Sequence, residues 1–202
     1  MQKNIKWNFL KITIPYVMGQ LSEKKLNYIV GNLNTKGFIA KINMIDPGMT
    51  VIALEEDKKR LIIESRQITY STKLEGDLEQ LVIQKQFESI LDALLIDDKN
   101  QYFFNIEGIS ETQDSHTESR IVYEEKHMLL EKDIYGVGYR FLIKNENLFG
   151  ELKIEPLIAD KSKYYYEWLL NKVENVSIAK LLADVKNEIE KDRECCYNVI
   201  RR

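Results

Sequence analysis

Residues 37–70 read GFIAKINMIDPGMTVIALEEDKKRLIIESRQITY, and this stretch decides the fold class. It contains three runs of apolar, β-branched or aromatic residues, which are Phe38–Met44, Thr50–Leu54 and Leu61–Tyr70. Asp46-Pro47-Gly48, between the first two runs, is typical of a turn, because proline fixes φ and glycine accepts a positive φ. Three strands joined by short polar connections predict an antiparallel meander.

Helical patterns lie on both sides of this meander. Upstream, Ser22 is a favourable N-cap for a helix whose apolar stripe consists of Leu26, Ile29, Val30 and Leu33. Downstream, the apolar residues between Leu74 and Ile96 predict a longer helix. Before both, Leu10–Tyr16 alternates apolar and polar residues and predicts a half-buried strand, with Pro15 at its end or on a sheet edge.

The second half of the chain repeats this order of patterns. A strand is predicted near Tyr102–Ile109, a polar loop over Ser110–Ser119 and a helix over Arg120–Glu131. Before a last helix capped by Ser177, three more strands are predicted, over Ile134–Lys144, Leu148–Ile158 and Tyr164–Leu170. The fold class is therefore predicted as α+β, with mainly antiparallel sheets backed by helices.

The order β-α-β-β-β-α thus occurs twice, which suggests an internal duplication. Gly48 in the first meander matches Gly150 in the second, and Glu64 matches Glu167. Turn residues and apolar helix stripes are common, so a chance alignment of two α+β halves is the alternative. We expect residues 1–202 to form a single compact unit with similar halves, 1–98 and 99–202.

Composition excludes several classes of protein. The chain has 202 residues, 44% of them hydrophobic, with 29 Lys and Arg against 32 Asp and Glu. This hydrophobic content is too high for a disordered chain, and no stretch approaches the roughly 18 uncharged apolar residues of a membrane span. The N-terminus lacks a signal-peptide pattern, and the two cysteines, Cys195 and Cys196, are neighbours, which disfavours a disulfide. These features predict a cytoplasmic protein.

Few side chains are suited to catalysis or metal binding. The chain has two histidines, His116 and His127, and neither has a second histidine or cysteine at zinc-ligand spacing. We expect His116 to be exposed in the polar loop. No G-x-S-x-G elbow and no phosphate-binding glycine loop is present. The sequence therefore assigns no catalytic residue, no metal site and no cofactor.

Aromatic residues cluster in the run Tyr164-Tyr165-Tyr166-Glu167-Trp168. In a strand, Tyr164, Tyr166 and Trp168 share one face and Tyr165 points to the other. Large amphipathic rings suit contacts with a partner, so Tyr165 and Trp168 are candidate contact residues. The alternative is that these rings belong to the sheet core. Arg140, between two aromatic residues, is a third candidate, either as an anion contact or in a cross-strand ion pair.

The densest basic cluster is Lys58-Lys59-Arg60, which directly follows Glu55-Glu56-Asp57. Mixed runs of this kind are typical of solvated hairpin tips. The alternative is a phosphate-binding patch in which Lys58, Lys59 and Arg60 contact the ligand.

The leading hypothesis is a non-catalytic cytoplasmic binding or protein-interaction module, which binds a protein partner or itself as a homo-oligomer. It rests on the missing catalytic motifs and on the aromatic-rich strands. A small enzyme with a site between the two halves is one alternative. A nucleic-acid-binding protein is another, although the pI of about 5.6 disfavours it because such domains are usually basic. We expect no membrane partner, and the sequence indicates no particular small-molecule ligand.

Overall fold

The strand Lys6–Pro15 lies at the centre of one large sheet. The computed structural model describes residues 5–19, 21–55, 58–76, 78–126, 135–144 and 148–201. Leu10, Ile12 and Ile14 are fully buried on one face of this strand, as their alternation predicts. Pro15 is its last residue, where a missing N–H removes no bond from the middle of the ladder.

The described residues form nine strands and four helices. In chain order the elements are β1 (Lys6–Pro15), α1 (Glu23–Thr35), β2 (Ala40–Asp46), β3 (Met49–Leu54), β4 (Lys59–Glu64), β5 (Gln67–Gly76), α2 (Gln80–Leu94), β6 (Asn100–Glu111), α3 (Ser115–Lys126), β7 (Tyr139–Lys144), β8 (Leu148–Pro156), β9 (Lys163–Val176) and α4 (Ile178–Arg201). All nine strands belong to one antiparallel sheet, in the order β2-β3-β4-β5-β1-β6-β9-β8-β7. The predicted α+β fold class is confirmed.

All four helices pack on the same face of this sheet. The buried side chains of α1, α2 and α4 join one hydrophobic core with the buried residues of the strands. The first turn of α3 lies on this face as well, because the hydroxyl of the core residue Tyr164 donates to the Ser115 carbonyl oxygen at 3.0 Å. The helix starts at Ser22 and Ser177 are confirmed, since each hydroxyl accepts the backbone N–H three residues on, at 3.3 Å.

Glycine at position 108 lets an indole ring lie across the sheet. A Cβ placed on Gly108 would meet the ring of Trp7 at 2.7 Å. Without it, Trp7 reaches Trp168 two strands away, with ring centroids 5.2 Å apart in an edge-to-face arrangement. This contact joins β1 to β9 across β6, so it ties the two halves of the chain together on the core side of the sheet.

A buried ion pair joins the sheet to the last helix. The side chain of Lys172 in β9 is fully buried, and its Nζ lies 2.9 Å from Oδ2 of Asp184 in α4. Lys172 lies on the core face because its register partners on the two neighbouring strands, Tyr102 and Leu148, are both buried there. The ion pair allows the lysine side chain to be buried in this largely apolar layer.

The first meander has four strands rather than the predicted three. The segment Leu61–Tyr70 is two strands, β4 and β5, separated by a tight turn at Ser65 and Arg66. The prediction missed this turn because it contains neither glycine nor proline. The predicted helix over Leu74–Ile96 was also too long, since β5 continues to Gly76 and α2 begins at Gln80.

The predicted loop over Ser110–Ser119 is instead the end of β6 and the start of α3. Two of its serines are buried and hydrogen-bonded: Ser110 Oγ donates to Tyr166 Oη at 3.1 Å, and Ser119 Oγ donates to the His116 carbonyl oxygen at 3.0 Å. The helix predicted over Arg120–Glu131 begins earlier, at Ser115, and residues 127–131 lie outside the described residues. The strand predicted from Ile134 begins at Tyr139 within the described part.

The internal duplication is not confirmed. Gly48 is in a hairpin turn with φ at +89°, whereas Gly150 lies inside β8 against the backbone of β9, so the two glycines have different roles. Likewise Glu64 ends β4, while Glu167 lies in the middle of β9. One sheet runs through both halves, which meet where β1 pairs with β6. Among the described residues, no helix is long and apolar enough to span a bilayer.

Candidate functional site

The sheet face opposite the helices carries the candidate site. We call it the open face, and it consists of three neighbouring rows of side chains that run across the strands, each row following the pairing register. The row that we call the aromatic row contains Met44, Val51, Ile62, Thr69, Thr13, Phe103, Asn171, Phe149 and Lys144. The central row contains Lys41, Ala53, Arg60, Ser71, Lys11, Asn105, Leu169, Glu151 and Leu142. The charged row contains Lys73, Phe9, Glu107, Glu167, Lys153 and Arg140.

The aromatic row exposes large apolar side chains. Phe103 and Phe149 are 46% and 45% exposed, and Met44 at the other end of the row is 38% exposed. Leu142, in the neighbouring central row, is exposed more fully. Between them, the small hydroxyls of Thr13 and Thr69 bond each other at 3.0 Å and are buried. The open face therefore has apolar area on both sides of a polar centre.

Ion pairs link three strands of the second half on this face, and a hydrogen bond extends the network to β6. Arg140 of β7 pairs with Glu151 of β8, whose other oxygen is 3.4 Å from the Lys153 ammonium. The same ammonium is 2.7 Å from Oε2 of Glu167 in β9, and Oε1 of Glu167 accepts from Asn105 Nδ2 of β6 at 3.0 Å. Charges of alternating sign thus follow one another across β7, β8 and β9.

These contacts change the pKa of the groups involved. The hydrogen bond from Arg140 lowers the pKa of Glu151, against the opposing effect of burial. The hydrogen bond to Glu167 raises the pKa of Lys153 in the same way. Both shifts favour the ionised forms, so Arg140 and Lys153 are already neutralised by carboxylates of the same sheet.

The carboxylate of Glu107 on β6 is hydrogen-bonded to the phenol of Tyr165 on β9, which lies diagonally across from it in the pairing register. Burial raises the pKa of Glu107, with the hydrogen bond from Tyr165 opposing it and the neighbouring Glu167 charge adding to it. Burial likewise raises the pKa of Tyr165, and the charge of Glu107 adds to the increase. The phenol therefore stays protonated and donates to Glu107.

The residues predicted to contact a ligand are divided between the two faces. Arg140 and Tyr165 lie on the open face, and Tyr165 points away from Trp168, as the alternation along the strand predicted. Trp168 is buried in the core together with Tyr164 and Tyr166. These rings therefore belong to the sheet core, and Trp168 cannot contact a partner.

The basic cluster is divided in the same way. Arg60 is exposed in the central row of the open face, and Lys58 is exposed in the turn before β4. Lys59 points to the other face, where its ammonium pairs with Glu55 Oε2 at 2.5 Å and its side chain is mostly buried. The three residues therefore do not form one patch.

His116 is buried, contrary to the exposed loop position expected for it. It lies in the first turn of α3, with Nε2 2.8 Å from the Leu157 carbonyl oxygen. Its ring packs against Tyr135 with centroids 4.3 Å apart. The prediction failed because the segment was taken for a loop, whereas Asp114 caps a helix there by accepting the Thr117 N–H at 3.0 Å. Across the described residues, no group of three or more His, Cys, Asp or Glu side chains is arranged to hold a metal ion.

A surface cavity of about 500 Å³ lies at the β2–β3 turn. Its apolar walls include Leu21, Met49 and Ile63, and Asp46 and Glu64 are the carboxylates that line it. All of its lining residues belong to the first half of the chain, so it is not the site between the halves that the enzyme alternative requires.

Sequence reasoning missed Phe103, Phe149 and Glu107. The alternation in Tyr102–Ile106 put Phe103 on the face opposite Tyr102 and Phe104, which is a usable signal, but only the pairing register shows that these residues lie in rows. A search with protein-family models finds no match to this chain, and a search of curated protein sequences finds none either. Inferences about function therefore start from the chain's own side chains.

Proposed function

We propose that the protein is a non-catalytic interaction module that binds a protein partner on the open face of its sheet. The observation that carries this proposal is the position of Phe103 and Phe149, two half-exposed rings on a sheet face that no described helix covers. Exposed apolar rows on an otherwise polar face are typical of interaction surfaces. Phenylalanine and methionine side chains are also enriched in the buried centres of protein interfaces.

The chemistry of the face supports binding rather than catalysis. Arg140, Lys153, Glu151 and Glu167 are engaged with one another, and Tyr165 is held protonated by burial beside Glu107. None of these groups is poised as a free base or nucleophile. The reducing environment suggested by the adjacent Cys195 and Cys196 supports a cytoplasmic location for this function.

The test compares partners bound by variants of the two faces. We expect the full chain, immobilised in extract of its own cells, to retain at least one protein that the variant F103E/F149E does not retain. The control V17E/L81E introduces the same charges at exposed apolar positions in the loop after β1 and on α2. Circular dichroism establishes that each variant is folded.

The same variants settle whether the partner is a second copy. The mass in solution, measured by light scattering, is expected to fall to the monomer in F103E/F149E if the chain is a homo-oligomer through this face, and to stay unchanged if the partner is a different protein. Identical retained proteins and identical masses for both variants would overturn the proposal.

A further inference from the structure

The first half of the open face carries four cations that form no ion pair with another described residue. Lys41, Arg60 and Lys11 are all exposed in the central row, and Lys73 is exposed at the end of the charged row. No ion pair joins any of these four to another residue within the described ranges. Arg140 and Lys153, on the second half of the same face, are both paired. Four cations of the first half thus lack, among the described residues, the carboxylate contacts that compensate Arg140 and Lys153.

The spacing of these cations is regular. Lys41, Arg60 and Lys11 lie on β2, β4 and β1, with the short side chains of Ala53 and Ser71 on the strands between them. Neighbouring strands are about 4.8 Å apart, so successive cations of the row are about 10 Å apart. Short residues between them leave each charged side chain accessible from above the sheet.

An aliphatic surface runs beside the cations. Met44, Val51 and Ile62 of the aromatic row lie on β2, β3 and β4, in the row next to Lys41 and Arg60: Ile62 is two residues along β4 from Arg60, and Met44 is three residues along β2 from Lys41 across a register shift. A ligand that covers the first half of the open face therefore meets a line of positive charges and a parallel line of apolar side chains.

We infer that the partner docks an acidic amphipathic helix across the strands of this half. Acidic residues seven positions apart in an α-helix are separated by about 10.5 Å along its axis, which matches the spacing of the cations. Apolar residues at the intervening i+3 and i+4 positions then face Met44, Val51 and Ile62. This inference rests on the proposed function and specifies the partner's chemistry.

Nucleic acid fits the same cations less well. The chain has a net charge of −3, which repels a polyanion at long range. Proteins that bind single strands without sequence preference stack the bases on aromatic side chains, whereas the side chains of the aromatic row beside Lys41 and Arg60 are aliphatic. Nucleic acid is therefore the competing outcome of the test.

The test uses a fluorescent 22-residue helical peptide with glutamate at every seventh position and leucine at the i+3 and i+4 positions between. Fluorescence anisotropy with the full chain is expected to show binding that weakens as salt rises from 50 to 300 mM. The variant K11E/R60E is expected to weaken binding by at least about tenfold. The control K24E/K180E makes the same change in net charge on exposed lysines of α1 and α4. It is expected to retain the wild-type affinity.

Several results would overturn the inference. They are no binding of the peptide, equal weakening by both double variants, or tighter binding of a 20-nucleotide oligothymidine that K11E/R60E abolishes. If K11E/R60E is not folded by circular dichroism, the milder variant K41A/R60A takes its place, with K24A/K180A as its control. If the peptide test fails but the wild type retains a partner that F103E/F149E does not, the proposed function stands and only the inference of an acidic helix is refuted.

Discussion

Replacing Asp184 with alanine is expected to lower the free energy of unfolding by about 3 kcal/mol. The carboxylate of Asp184 is the ion-pair partner of the Lys172 ammonium, at 2.9 Å. The Lys172 side chain is fully buried, so without Asp184 the folded state contains a charge that has lost both its hydration and its counterion. Breaking a fully buried pair costs about 3–5 kcal/mol, and we take the lower end because the Asp184 side chain is 30% exposed.

Urea denaturation followed by circular dichroism measures this loss. With a slope of about 2.5 kcal/mol per molar, a loss of about 3 kcal/mol moves the midpoint by roughly 1.2 M. The matched control is D92A, which removes the carboxylate of the Lys36–Asp92 pair. That pair has a similar distance of 3.1 Å, but its side chains are 43% and 66% exposed. An exposed pair contributes about 0–1 kcal/mol, so its midpoint is expected to move by less than roughly 0.4 M.

The double variant K172M/D184L separates the cost of the unpaired charge from the value of the pair. Methionine has nearly the length of lysine and no charge, and the variant is expected to be within about 1 kcal/mol of the wild type or more stable. Equal losses in D184A and D92A would refute the burial argument. A loss in the double variant as large as that in D184A would show that packing at Asp184, rather than the stranded ammonium, carries the effect.

Three further variants test the backbone and the turns. G150A is expected to unfold the second half of the sheet, because its Cβ would lie 1.9 Å from the Leu169 carbonyl oxygen, and loss of the cooperative thermal transition is the measurement. G31A, in α1 with nothing within 4 Å of the new methyl group, is expected to raise the free energy of unfolding by about 0.5–1 kcal/mol, and a lower melting temperature would contradict this. Hydrogen bonds from Lys163 and Ser162 lower the pKa of Asp160 to about 2, below its unfolded value of 3.8. The stabilisation by Asp160 is therefore fully present above pH 3.8 and is lost as the pH falls through about 2. We expect D160A to be less stable than the wild type at pH 7 and to approach its stability by pH 2. A difference in unfolding free energy that is the same at both pH values would contradict this.

Local sequence patterns were sufficient to predict a strand with strict apolar–polar alternation and helices with a capping serine. Leu10, Ile12 and Ile14 predicted β1 with the correct face buried, and Ser22 and Ser177 predicted two helix starts. These features depend on residues close in sequence, where side-chain periodicity and capping chemistry act directly. The turn at Ser65 and the serine-rich start of α3 carried weaker local signals, and their conformations depend on tertiary contacts such as the bond from Ser110 to Tyr166.

The residues of the open face could not be predicted from local sequence patterns, for a different reason. The alternation around Tyr165 predicted which of its neighbours share a side of β9, but it left open which side the helices cover. Rows such as Lys41, Arg60 and Lys11 consist of residues far apart in the chain, and they are brought together by the strand order and the register. A shift of one residue in any strand would move its side chains to the opposite face. Arg60 therefore became part of a basic row, whereas Lys59 beside it became a half of an ion pair with Glu55.

In the proposed complex, the two halves of the open face are expected to bind different features of the partner. A partner charge that approaches Arg140 or Lys153 must compete with Glu151 and Glu167, which already hold these cations at ion-pair distance. Displacing such a contact exchanges one ion pair for another and brings little net gain. A partner carboxylate that approaches Lys11 or Lys41 displaces only water. Selectivity for negative charge is therefore expected to come from the first half, while Phe103 and Phe149 supply apolar area that is indifferent to charge.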